Sequence, residues 1–95
     1  MPSSGDVDAD ALQRDDAPAL FRIRCTRIAE NYGLSDREAE VFVLIAKGND
    51  ARQISDRLYV SYNTARTHIR NIYAKMDVHS RHEFFEILND PTNRI

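Results

Sequence analysis

The chain has 95 residues, 29% charged and 42% hydrophobic, with three glycines, three prolines and a net charge of −2. This length holds one domain, and the composition excludes collagen-like, low-complexity and wholly disordered chains. The longest strongly apolar run, Val41 to Ala46, falls far short of the roughly 20 residues that span a bilayer.

Residues 1–17 carry Asp6, Asp8, Asp10, Asp15 and Asp16 against Arg14 and almost no large apolar side chain. They read as a disordered acidic tail, since little burial is available to offset the entropy of ordering. No apolar core follows a basic start, so the segment does not resemble a secretory signal. Residues 18–33 form the next unit, a linker helix over about 19–32. Phe21, Cys25, Ile28 and Tyr32 share one face of it, and Gly33 stops it. Arg22, Arg24 and Arg27 read as its solvated face. Cys25 is the only cysteine and reads as a core residue. A lone thiol forms no internal disulfide and no cysteine-based zinc site, which suits a reducing cytoplasm. If the sequence is a piece of a longer protein, a membrane tether outside it stays open.

Four helices are predicted within residues 34–95. Ser35-Asp36-Arg37-Glu38 fits a capping box opening a helix over about 36–47, with Gly48 behind it. Asp50-Ala51-Arg52-Gln53 is a looser version opening 51–58. Ser61 is a plain N-cap for 62–76, and Ser80-Arg81-His82-Glu83 repeats the Ser-x-x-Glu form before 81–88. No segment alternates with period two, so strands are not expected. The expected fold is all-α: a four-helix helix-turn-helix bundle with an additional N-terminal helix and a disordered acidic tail. Val41, Leu44, Ile45, Ile54, Leu58, Ile69, Ile72, Met76 and Phe84 are its expected core.

A short helix, a three-residue turn and a longer helix have the shape of a helix-turn-helix. On the longer helix, Ala65, Ile69, Ile72 and Met76 fall on one side, and Asn63, Arg66, Thr67, Arg70 and Ala74 on the other. Ser61 to Met76 holds Arg66, Arg70 and Lys75 and no acid, a local basic stretch that the total charge conceals. Arginine can fork onto guanine O6 and N7, asparagine onto adenine, and threonine can offer hydroxyl or methyl. Arg66, Thr67, Arg70 and Asn63 are therefore the candidate base contacts. Tyr62, Thr64, Tyr73 and Lys75 at the margins suit phosphate oxygens.

Residues 34–88 resemble the LuxR-type (GerE-like) DNA-binding domain of bacterial transcription regulators. The resemblance runs through Leu34-Ser35-Asp36-Arg37-Glu38-Ala39-Glu40-Val41, Ile54-Ser55-Asp56-Arg57-Leu58, the stretch from Val60 to Tyr73, and Lys75-Met76-Asp77-Val78-His79-Ser80-Arg81. It implies a four-helix domain whose third helix enters the major groove, with Arg66, Thr67 and Arg70 on bases, and whose fourth helix mediates dimerisation. Ala65 stands where the family usually has Val, Tyr59 where Gly is frequent, Asn49 where an apolar residue is common, and Arg66 where Lys is common. The first three read as packing adjustments, and Arg66 keeps the charge while adding a fork.

Other candidates have plainer readings. Glu38 suits capping and an ion pair with a nearby Arg, and His68 a packed position at the edge of the apolar stripe. His79 and His82 are a surface pair without a third metal ligand. Phe85, if Phe84 and Leu88 face the core, is exposed and marks a dimer contact. No Gly-rich phosphate loop, His-Glu-x-x-His or Gly-x-Ser-x-Gly is present, so no enzymatic activity, cofactor or metal is expected. The expected partners are double-stranded DNA, a second copy held weakly on DNA, and RNA polymerase as a further candidate; no small-molecule ligand is expected. The alternative is a helix-turn-helix used as a protein adaptor, which would need apolar anchors where this face shows Arg, Thr and Asn.

Overall fold

The computed structural model describes residues 19–91, and the acidic tail expected over 1–17 lies outside them. The described residues form five helices and no strand: α1 Ala19–Asn31, α2 Asp36–Ala46, α3 Ala51–Leu58, α4 Tyr62–Met76 and α5 Arg81–Leu88. Their bounds agree with the expected ones to within a residue.

Each start is a side-chain cap. Ser35 Oγ accepts the Glu38 amide at 3.1 Å, and the Ser35 amide donates to Glu38 Oε1 at 2.9 Å. Asp50 and Gln53 make the same reciprocal pair, both at 2.9 Å, so the looser motif is a complete capping box. Ser61 Oγ accepts the Thr64 amide at 3.0 Å. The Ser80 motif differs from its expected form. Ser80 Oγ does accept the Glu83 amide, but the Glu83 carboxylate reaches past Ser80 to the His79 amide at 2.6 Å.

Four of the helices also end by one device, a left-handed residue followed by an amide that turns back to the last-turn carbonyls. The amides of Gly33 and Leu34 close α1, and those of Gly48 and Asn49 close α2. Tyr59 with Val60 and Asp77 with Val78 do the same for α3 and α4. Gly33 and Gly48 reach positive φ at no steric cost, whereas Tyr59 and Asp77, both at φ 57, do so with a Cβ.

One core joins all five helices. Val41, Phe42 and Ile45 of α2 meet Ile54 of α3, Ala65, Ile72 and Met76 of α4, Val78, and Phe84 and Leu88 of α5. Cys25 and Ile28 of α1 are fully buried in the same cluster, so the expected linker helix packs into the bundle. Of the expected core, Leu44, Leu58 and Ile69 are only half-buried and edge the cluster. Phe42, absent from that expectation, is completely buried with its ring 5.0 Å from that of Phe84. The apolar run of α2 covers every side of the helix, so periodicity could not single Phe42 out.

Phe85 is a correction. It is half-buried, not exposed: its ring stands edge-on to Phe84 at 5.2 Å, and the Arg81 guanidinium lies over it at 5.6 Å. The exposed position expected for it is therefore shared with Phe84 and Arg81, and part of its ring stays at the surface.

Candidate nucleic-acid interface

Helix α4 has 15 residues, about 22 Å at 1.5 Å per residue, and one side of it is uncovered along its length. Ala65, Ile72 and Met76 are buried against α2 and α3, which fixes the rotation of the helix. Asn63, Arg66, Thr67, Arg70 and Ala74 are consequently all exposed. Between α3 and α4 runs an open groove lined by Ala51, Arg66, Ile69, Arg70 and Tyr73. Ala51, at the first position of α3, is small enough to leave that groove open.

The charge on this face is unbalanced. Among the described residues the salt bridges are Arg37–Glu40, Lys75–Glu38 and His82–Glu86, and none takes Arg66 or Arg70. Helix α4 contains no carboxylate that could pair with them. Two like charges one turn apart gain nothing from each other. The face therefore offers two guanidinium forks that no carboxylate holds, a threonine and an asparagine, all exposed.

The residues expected at the margins behave differently from one another. Tyr62 is 46% exposed, with the guanidiniums of Arg52 and Arg66 over its ring at 5.7 and 5.8 Å. Thr64 is exposed, and its Oγ1 accepts from Ser61 Oγ at 2.9 Å. Tyr73 is half-buried, its ring 5.9 Å from Phe84, and it lines the groove. Burial raises the pKa of its phenol, and the nearby Arg81 opposes that shift. Lys75 lies on another side of α4. Its Nζ is 2.7 Å from Glu38 Oε1 and 3.3 Å from the Gly33 carbonyl. That ammonium ties α4 to the start of α2 rather than joining the groove. Glu38 thus pairs with a lysine and not with the expected arginine. The Lys75 hydrogen bond, followed by the Ser35 amide, holds the carboxyl below its ordinary pKa.

Arg52 escaped the sequence reading because it stands inside a capping motif, and only the crossing of α3 over α4 brings it to Tyr62. Cys25 is fully buried, which pushes its pKa up to about 11 and leaves it an unreactive thiol. His82 pairs with Glu86 at the surface at 3.3 Å, and His68 is half-buried as expected. Among the described residues no three His, Cys, Asp or Glu side chains group as metal ligands, and no helix is long and apolar enough to cross a membrane.

The family of bacterial regulatory proteins of the luxR family matches residues 32–88, more than half of the chain. The chain belongs to that family. Membership makes it a helix-turn-helix DNA-binding domain of transcription regulation. This LuxR-family domain is 42% identical over 48 residues to the transcriptional regulatory protein LiaR of Bacillus subtilis, which covers 50% of this chain and 23% of that protein. It is 38% identical over 62 residues to the response regulator protein VraR of Staphylococcus aureus, covering 64% and 30% respectively. The chain therefore spans less than a third of the length of these relatives. No solved structure matches it significantly.

Proposed function

We propose that the exposed face of α4 lies in the major groove of double-stranded DNA and reads sequence there, as the DNA-binding part of a bacterial transcription regulator working in the cytoplasm. The observation that carries this reading is the pair of guanidiniums, Arg66 and Arg70, that no carboxylate holds, on a face without acids. Arg66, Thr67, Arg70 and Asn63 are assigned to base edges, and Tyr62, Thr64 and Tyr73 to the backbone. Lys75, 41% exposed beside Glu38, is assigned to the backbone as well. Two copies pair weakly when half-sites about one helical turn apart place them side by side. RNA polymerase stands as a candidate partner of the DNA-bound form. The names of the relatives, a transcriptional regulatory protein and a response regulator, support a role inside a longer regulator.

Binding selection from randomised duplexes tests this reading directly. Arg66→Ala should cost about 1–3 kcal/mol on the selected site and relax preference at one base position. If affinity and preference both survive Arg66→Ala, α4 does not read DNA and the protein-adaptor alternative takes over.

A further inference from the structure

Tyr62, the first residue of α4, holds two arginines from different helices. The guanidinium of Arg52, at the second position of α3, lies 5.7 Å from the ring centroid, and that of Arg66, one turn along α4, lies 5.8 Å from it. Both distances are inside the roughly 6 Å reach of cation–π attraction. Two cations gathered on one ring repel each other, and surfaces ordinarily relieve this with a carboxylate. Among the described residues neither arginine has one. The ring, and no carboxylate, is what each guanidinium meets, and both charges remain available to an anion.

We infer that the ring face of Tyr62, besides the phosphate contact of its hydroxyl, is a positioning device that aims Arg66 at a base edge and holds Arg52 on the adjacent backbone phosphate. The inference rests on the DNA-reading role proposed above and adds Arg52 to its contacts. A long arginine side chain gives up much rotamer freedom on docking, and prior stacking on a fixed ring reduces that loss. The backbone that carries the ring is fixed by the cap of α4, where Ser61 Oγ accepts the Thr64 amide. The two helices of the helix-turn-helix thus contribute one cation each to a single cluster, one suited to reading and one to anchoring.

The test compares wild type, Tyr62→Phe, Tyr62→Ala and Arg52→Ala, using selection from randomised duplexes and salt titration on the site the wild type selects. Tyr62→Phe keeps the ring face and loses only the phosphate contact of the hydroxyl, so it should keep the wild-type base preference while binding all duplexes alike about two- to threefold more weakly. Tyr62→Ala should bind about three- to tenfold more weakly and lose preference at the one base pair that Arg66→Ala also relaxes. Arg52→Ala should weaken all duplexes alike and lower the salt slope by about one unit, with the selected sequence unchanged. Equal losses of base preference in Tyr62→Phe and Tyr62→Ala would assign the positioning role to the hydroxyl and overturn the inference. So would a Tyr62→Ala protein with wild-type preference, or an Arg52→Ala protein with an unchanged salt slope. Wild-type protein that binds no duplex sinks the DNA-reading proposal itself, a different outcome from wild-type binding that Tyr62→Ala leaves intact.

Discussion

Glu38 and Asn49 show at the scale of single residues how buried polar groups hold this small bundle in register. Asn49 Nδ2 donates to the Leu44 carbonyl at 2.9 Å, its Oδ1 accepts Arg57 Nε at 3.0 Å, and its own carbonyl accepts Arg81 at 3.2 Å. The side chain thereby links the end of α2 to α3, and the backbone carbonyl adds α5, at a position where the family commonly places an apolar residue. What read as a packing adjustment is a polar junction. Glu38 closes a capping box and pairs with Lys75 from α4, 37 residues away. Nothing local marks that pair, so the sequence reveals the cap and not the partner. Glu38→Gln keeps the shape and removes the charge. Because Lys75 is 41% exposed, solvent screens the pair, and the expected cost is about 1–2 kcal/mol rather than the 3–5 of a fully buried one. The pH dependence follows from the sign of the shift. A carboxyl whose folded pKa is lowered from 4.5 adds stability above its unfolded value and loses it as pH falls through the folded one. Denaturant titrations should therefore show the wild-type advantage over Glu38→Gln in full at pH 7 and shrinking below about pH 4. An advantage that persists unchanged at pH 3 would mean that shape, not charge, is what Glu38 supplies.

At the scale of elements, helix starts were legible because capping is local: Ser35, Asp50, Ser61 and Ser80 each satisfy an amide three residues on. Stops were legible to within a residue, but their left-handed geometry was legible only where glycine marks it. Tyr59 and Asp77 use the same left-handed geometry without the residue that announces it, and the turn between α3 and α4 gives no composition signal at Tyr59. The exposed face of α4 could be placed by counting 100° per residue, since burial of Ala65, Ile72 and Met76 fixes the rotation. The Arg52–Tyr62–Arg66 cluster could not, because it depends on how α3 crosses α4. Tyr59 carries a prediction of its own. A non-glycine residue in the left-handed region costs about 1–2 kcal/mol, and glycine would return about 0.4–1 of that through unfolded-state entropy. The side chain is 95% exposed, so little packing is lost with it. Tyr59→Gly should raise the thermal midpoint, corresponding to a gain of about 0.5–1 kcal/mol. A lower midpoint in the thermal melt would show that the Tyr59 ring makes a stabilising contact that its exposure conceals.

For the whole molecule the uneven charge is the property that governs encounters with DNA. Residues 1–17 carry a net −4, while the full chain carries −2, so residues 18–95 carry +2. A phosphate backbone approaching α4 meets local cations at Arg52, Arg66 and Arg70, and a repelling segment tethered at the other end of the sequence. Repulsion of this kind is long-ranged but screened, with a Debye length of about 10 Å at 0.1 M salt. Removing residues 1–17 should therefore tighten binding to any duplex, preferred or not, by several-fold at about 0.05 M salt. The gain should fade toward unity as salt rises to about 0.5 M, and the sequence selected from randomised duplexes should stay the same, because no base-reading residue has been touched. Fluorescence anisotropy across a salt series with full-length and shortened chains measures both effects. A gain confined to the preferred site would imply that the tail masks the reading face of α4 directly. Equal affinity at low salt would show that five aspartates sit too far from the bound DNA to matter.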